Sequence, residues 1–408
     1  MYLHFPIILD GATGTELKKR GYDGKISSEE WVLANPSAIK DIQNGYIQAG
    51  SDIIYSPTFG ANRRKLVLRG LADKTAAFNA ELAGISLDLA KGRAFVAGDI
   101  APTGKFMPPA GNATFEELYN VYYEQAAALE AAGVDLFIIE TMMSLADARA
   151  AVLAVKAVSG KPVFVTFTCD ERGKTVTGTD AATALTVMQS MGADAFGLNC
   201  SAGPEEMLKQ LQRISGLAKI PLIAKPNAGL PKVVDGETVY DCTPEEFVSF
   251  VPDMLRCGVK IFGGCCGTDA SHIAALKKAL ALADETPECE QDSAVYCTNE
   301  KNIFNVDELN TDGDVIDCDN ELSSRLPKPN AAPDVLFLAF QDEASLAAYG
   351  KAAARLQRIN RPVCLVCDDA VLLEKVLCEY QGRALYKGSL SDEVLAPLVK
   401  KYSLIRIS

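Results

Sequence analysis

The stretch CGVKIFGGCCGT, Cys257–Thr268, contains the unit whose recurrence decides the fold. A glycine, Gly258, stops a helix. A short, mostly apolar run, Lys260–Gly264, reads as a strand, and polar residues, Cys265 and Cys266, follow at once. Working outward, the same order of parts returns along the chain. Gly stops occur at Ala49-Gly50, Ala132-Gly133 and Met191-Gly192. Further apolar runs lie at Pro6–Asp10, Asp52–Ser56, Ala94–Asp99, Leu136–Glu140, Pro162–Thr168, Ala195–Asn199 and Pro221–Lys225. Near-continuous apolar runs of this length suit strands buried on both faces. Candidate helices such as Phe115–Ala131, Leu145–Val158 and Pro244–Cys257 fill the gaps.

Eight strand–helix units of about 35 residues each predict a parallel (β/α)8 TIM barrel over residues 1–284, closed by right-handed crossovers. The alternative is an open doubly wound sheet. The polar residues at the strand ends favour the barrel: Asp10, Ser56, Asp99, Glu140, Thr168, Asn199-Cys200, Asn227 and Cys265-Cys266. In a barrel all of these converge on one mouth, where active sites are built.

After the barrel the composition changes. Residues 285–333 form a connector rich in Asp, Glu, Asn and Ser, with room for one strand. Residues 334–408 read as a small α/β C-terminal unit, with strands at Asp334–Phe340, Arg361–Cys367, Arg383–Lys387 and Ser403–Ile407.

The chain has 408 residues, 48% hydrophobic, enough for a large core, and a formal net charge of -13. An acidic chain of this kind does not attract phosphate backbones or anionic lipid, which argues against a nucleic-acid or membrane-surface role. No run approaches the roughly 18 unbroken apolar residues of a membrane span. The opening MYLHFPIILDGATG lacks a basic region and a cleavage site, so a cytoplasmic location is expected.

There are 12 cysteines and only two histidines, His4 and His272, so the histidine count excludes a histidine-rich metal site. In GGCCGT, two adjacent cysteines on a regular strand would point to opposite faces. For both sulfurs to reach one metal the backbone must turn, and Gly263, Gly264 and Gly267 are expected to supply the permissive φ. Cys200, at the end of the sixth strand, adds a third thiolate. Three sulfur ligands with a fourth position open fit a catalytic zinc better than buried apolar cysteine does. Cys364 and Cys367 have redox-like spacing but lie inside one expected strand. Cys169, Cys242, Cys257, Cys289, Cys297, Cys318 and Cys378 stand alone and read as structural.

In LDGATGTEL, Leu9–Leu17, small residues let backbone N–H groups approach a carboxylate. The spacing is not that of a dinucleotide loop. Glu140 ends the run LFII and suits a substrate ammonium, or else a structural ion pair. Lys225 and Asn227 end the seventh strand. Asn227 reads either as a ligand contact or as a loop stabiliser.

LDGATGTEL, SPTFGAN (Ser56–Asn62), Glu140-Thr141, GLNCSAGP (Gly197–Pro204), PNAGLP (Pro226–Pro231) and GGCCGT occur in the order found in the homocysteine S-methyltransferases. Residues 1 to about 284 resemble that family, most of all the homocysteine-binding domain of cobalamin-dependent methionine synthases. The resemblance implies that Cys200, Cys265 and Cys266 bind Zn2+. It places Asp10 and Glu140 on the amino group of homocysteine, the backbone at Gly11 and Ala12 on its carboxylate, and Asn227 near the metal. Pro362–Tyr402 resembles part of the folate-binding barrel of the same enzymes, and DELNTDG (Asp307–Gly313) a worn form of its opening motif. Val366 and Lys387 stand where that family has pterin-contacting Asp and Asn, which implies a shortened relative that has lost folate binding.

The expected activity is therefore methyl transfer to the homocysteine thiol, giving methionine. The expected donor is a methylcorrinoid, with methylcobalamin arriving on a separate corrinoid protein. A small onium donor, betaine or S-methylmethionine, would instead need an aromatic pocket, for which Tyr55, Phe59, Phe106 and Trp31 are candidates. Two further alternatives are methylation of another small thiol and a non-catalytic zinc- or thiol-binding docking subunit.

Overall fold

The computed structural model describes residues 4–234, 237–283 and 291–407. Cys289 and the expected domain boundary at 284–285 lie outside the described residues. The barrel strands are β1 (Ile7–Ile8), β2 (Ile53–Tyr55), β3 (Phe95–Ile100), β4 (Leu136–Met142), β5 (Val163–Phe167), β6 (Ala195–Asn199), β7 (Leu222–Lys225) and β8 (Val259–Phe262). They form one parallel sheet in the order β1-β8-β7-β6-β5-β4-β3-β2. This is the order of a barrel and not of a doubly wound sheet, in which strand order reverses at a switch point.

The ends of that sheet meet through an aspartate. The Asp52 N–H donates to Ile8 O at 2.7 Å, and the Ile8 N–H donates to the Asp52 carboxylate at 2.8 Å. The Asp10 carboxylate also accepts the Tyr55 N–H at 2.8 Å. The result is a nearly closed barrel. Ile7, Ile53, Ile138, Phe164, Ile223 and Ile261 fill its interior.

The bonding of Asp52 is repeated around the lower rim. Asp135 accepts the Val96 N–H and Asp194 the Val163 N–H, each at 2.8 Å. Each of these aspartates lies two residues after a helix-stopping glycine. Gly50, Gly133 and Gly192 have φ of +110°, +91° and +83°, a left-handed turn that a side chain would strain. Gly258 shares that conformation at +90°. The glycine thus turns the chain and the aspartate pairs the neighbouring strand's first free N–H.

The helix expected over Pro244–Cys257 is two helices, Pro244–Val248 and Val251–Arg256. Pro252 explains the break, because it has no N–H to donate and is tolerated only in a helix's first turn.

The C-terminal unit is a second parallel sheet: β9 (Val315–Asp317), β10 (Leu336–Ala339), β11 (Val363–Val366), β12 (Leu385–Lys387) and β13 (Ile405–Arg406), in consecutive order. Its first strand comes from the 285–333 stretch, which also supplies an antiparallel hairpin, Tyr296–Thr298 with Ile303–Asn305. Right-handed crossovers between consecutive strands leave their helices on one face. Leu336, Leu338, Phe340 and Leu365 pack on that side, within the main core. On the opposite face Phe337, Cys364 and Leu385 pack with Cys297 and Phe304 of the hairpin.

The two units meet across the helix Leu145–Val158. Arg149, 1% exposed, donates from this helix to Leu377 O at 2.7 Å, to Gln381 Oε1 at 3.1 Å and to Cys378 O at 3.4 Å. It thereby pairs the last carbonyls of the helix Ala370–Glu379. Among the described residues no helix is long and apolar enough to cross a membrane.

Candidate metal centre and substrate cavity

Cys200, Cys265 and Cys266 come together at the barrel mouth, their Sγ atoms all within 4.8 Å of one another. The Cys200 and Cys266 sulfurs are 3.5 Å apart. Tetrahedral zinc with bonds of about 2.3 Å sets its sulfurs about 3.8 Å apart, so the cluster is close to ligand spacing.

The local sequence explains how the cysteines reach this position. Of the three motif glycines only Gly267 has a positive φ, +85°. Gly263 and Gly264 are needed for room instead. A Cβ on Gly263 would lie 2.8 Å from Leu9, and one on Gly264 would lie 2.3 Å from the Thr268 hydroxyl. Two backbone bonds tie the turn to the loop after β7: Cys265 N–H to Pro226 O at 2.7 Å and Ala228 N–H to Cys266 O at 2.9 Å. Cys200 itself has φ +55°, a conformation costly for a side-chain residue. The Asn227 side chain secures it by donating to Cys200 O at 3.3 Å, while its buried Oδ1 has no partner.

The electrostatics fit a metal as well. Hydrogen bonds from Cys200 and Cys265 hold the Cys266 thiol down at about 3. Cys200 is lowered by its bond with Cys265 but pushed up more by Cys266 and by burial, to about 12. Three thiolates this close need a cation, and soft sulfur donors with a fourth position free suit zinc.

Beside the sulfurs lies a cavity of about 270 Å3, lined among others by Gly11, Ala12, Tyr55, Asp99, Glu140 and Lys225. Lys225 is the hub of its charged wall. Its Nζ lies 3.1 Å from Asp10 Oδ1, 4.0 Å from Glu140 Oε2 and 3.8 Å from the centre of the Tyr55 ring. Burial opposes the lysine's charge, but Tyr55, Asp10 and Glu140 outweigh it and keep Lys225 protonated. Burial raises the carboxyl of Asp10 and that of Glu140, with Lys225 opposing in both.

Each residue expected at the site can now be placed. Asp10 is 2% exposed, and its two oxygens serve Tyr55 N–H and Lys225. Glu140 faces the cavity, with the Asn199 amide 3.5 Å from Oε2. Gly11 and Ala12 line the cavity, and the Ala12 N–H already donates to the Thr268 hydroxyl at 3.2 Å. Tyr55 and Phe59 line it too, each with a lysine ammonium over its ring, Lys225 and Lys65 respectively. Trp31 packs on Tyr22, and Phe106 lies in a turn closed by the Ala113 N–H.

Asn199 carries more than its place at a strand end suggested. It donates to Thr141 Oγ1 at 2.7 Å, accepts the Thr141 N–H at 3.0 Å, and lies 3.9 Å from Cys265 Sγ. It thus joins the Glu140 wall of the cavity to the sulfur cluster. Its position directly before Cys200 was the available signal.

Comparison with known proteins agrees with this geometry. The homocysteine S-methyltransferase family profile matches residues 7–280. The methionine synthase of Mycobacterium leprae is 30% identical over 296 residues, 68% of this chain and 24% of that protein. That of Mycobacterium tuberculosis is 30% identical over 292 residues, so the chain spans about a quarter of the length of these curated relatives. The homocysteine methyltransferase MmuM from Escherichia coli, in its metallated form, superposes with a TM-score of 0.58 at 24% identity, covering 67% of this chain and 95% of that one. Its oxidized form gives 0.55 at 26% identity. With its barrel, its cysteine cluster and this match over two thirds of its length, the chain belongs to the homocysteine S-methyltransferase family.

Proposed function

We propose that this chain methylates the thiol of L-homocysteine, held on zinc by Cys200, Cys265 and Cys266, to give methionine, with a methylcorrinoid on a separate protein as donor. The observation that carries the reading is the three-sulfur cluster opening directly into a carboxylate-walled cavity.

A thiol bound to zinc is deprotonated at neutral pH, and that is the chemistry the metal supplies. The protein's residues do the rest. Glu140 presents a carboxylate to the substrate ammonium. The backbone at Gly11 and Ala12 presents N–H groups to the substrate carboxylate. Asn199 sets the distance between Glu140 and Cys265 through its paired bonds with Thr141. Asn227 steadies the strained Cys200. With the sulfur held in line with the donor, a new S–CH3 bond forms as the donor–CH3 bond breaks, and the electron pair of the broken bond stays on the donor.

Two features support an external donor over a small onium compound. A cavity of about 270 Å3 accepts an amino acid but not a corrinoid, which must present its methyl group at the mouth. Both aromatic rings at the cavity already carry a lysine ammonium, an unfavourable setting for a second cation.

The test supplies zinc-loaded protein with L-homocysteine and, in turn, methylcobalamin, betaine and S-methylmethionine, and quantifies methionine. The reading expects product from methylcobalamin alone. Product from an onium donor alone would overturn the donor assignment, and no product from any of the three would overturn the activity.

A further inference from the structure

Lys225 is the only basic side chain among the described residues that line the cavity. It ends β7, level with Asn199 of β6, and its backbone C=O accepts the Cys200 N–H at 3.4 Å. Gly263 leaves room for its stem, since a Cβ there would lie 3.3 Å from Lys225 Cγ. A rigid strand thus carries a buried ammonium into the cavity wall.

The surroundings of that ammonium are those a cationic ligand would need. Two carboxyl groups and an aromatic face meet it: Asp10 Oδ1 at 3.1 Å, Glu140 Oε2 at 4.0 Å and the centre of the Tyr55 ring at 3.8 Å. Burial works against the lysine's charge, and Tyr55, Asp10 and Glu140 outweigh it. The two carboxyl groups hold it unequally. The contact with Asp10 is a hydrogen bond. Glu140 is held loosely, because among the described residues its only other polar contact is the Asn199 amide at 3.5 Å. Of the two, it is Glu140 that lines the cavity. An ammonium that enters the cavity therefore meets Glu140 with a like charge already facing it, and like charges this close repel strongly in a buried site.

We infer that Lys225 is a specificity-determining residue whose ammonium acts as an internal placeholder, facing Glu140 in the place of a ligand and competing with the ammonium of an entering amino acid. The inference rests on the homocysteine reading above and adds a penalty to it. Substrate and product carry the same ammonium, so Lys225 weakens the binding of both. The substrate also has a thiolate to offer the metal, whereas the product is a thioether. Affinity is thereby shifted onto the sulfur, and methionine leaves readily.

The experiment is calorimetric titration of zinc-loaded wild type and Lys225→Gln with L-homocysteine, with L-methionine and with 4-mercaptobutanoate, which is homocysteine without its amino group. Glutamine keeps a donor for Asp10 and removes the charge. The preference of Lys225→Gln for homocysteine over 4-mercaptobutanoate should exceed that of wild type about tenfold, and methionine should bind more tightly. Lys225→Arg, which keeps the charge, should retain the wild-type preference. A preference that is unchanged or lowered in Lys225→Gln would overturn the placeholder and leave the homocysteine reading standing. That is the result a purely structural ion pair gives, because its loss affects all three ligands alike. A preference raised equally in Lys225→Arg would overturn it too, since the charge would then not be the cause. Failure of the wild type to bind homocysteine would overturn both. Should Lys225→Gln not fold, Lys225→Met under the same titrations decides between the same outcomes.

Discussion

The barrel and the C-terminal unit are built alike, from parallel strands joined in consecutive order by helices, yet their inner faces differ. In the barrel eight strands nearly close, and their ends bring Asp99, Glu140, Lys225 and three cysteines around one cavity. In the C-terminal unit five strands stop short of closure, and a hairpin lies over the face that would be the interior, with Phe304 and Cys297 packed against Phe337, Cys364 and Leu385. The strand grammar is shared. What makes a site is closure, because only then do polar strand ends from several strands face one another.

Cysteine substitutions give the largest contrast. Cys265→Ser should abolish stoichiometric zinc and lower methyl transfer on the order of a thousandfold, measured by metal analysis and methionine formation. Cys364→Ser should leave zinc content unchanged. Cys364 faces the hairpin side of β11 and Cys367 the helix side, so the pair cannot share a metal as the mouth cysteines do.

The next contrast concerns the contact between the units. Arg149→Ala leaves buried carbonyls of Leu377 and Cys378 unpaired and should cost roughly 3–5 kcal/mol in urea unfolding. The loss should appear first as separate melting of the C-terminal unit. A single transition with the wild-type midpoint would show that the two units do not depend on this residue.

On the same helix, burial pushes the Asp147 carboxyl up to about 6 from an ordinary 3.8, against bonds from Tyr122 and Thr103. A raised native value means the folded state favours the proton. The associated stability is therefore present at pH 4 and lost as pH rises through 6, by roughly 3 kcal/mol at most. Asp147→Asn should flatten that step in a comparison of urea midpoints at pH 4.5 and 7.5.

The smallest effect is expected at the hairpin. Phe304→Ala removes a half-buried ring from the inner face of the C-terminal sheet and should cost about 1–2 kcal/mol. Methyl transfer at the distant mouth should not change. A loss of activity would mean that the two regions are coupled, not merely attached.

Much of this contrast was legible in the sequence, for physical reasons that can be named. The eight barrel strands announce themselves as short apolar runs, four of them directly after glycine stops, and each lies within two residues or so of its expected span. The cysteine cluster follows from motif spacing. The hairpin was hidden because its strands, Tyr296–Thr298 and Ile303–Asn305, are three residues long and lie in a polar stretch without alternation. The rim aspartates were hidden because an Asp after Gly reads as turn chemistry until its partner strand is known. Asp10 and Asp99 look equivalent in sequence, both acidic at a strand end. In the fold Lys225, 215 residues away in sequence, pairs with Asp10, while the buried Asp99 Oδ1 has no hydrogen-bond partner.

The central claim is that the three mouth cysteines hold zinc with a position open to the substrate thiol. Zinc K-edge X-ray absorption on the reduced, zinc-loaded protein, before and after adding L-homocysteine, tests it most directly. The account predicts three sulfurs plus one light atom before addition and four sulfurs after it. A shell that ignores homocysteine, or protein that retains no zinc, would contradict it.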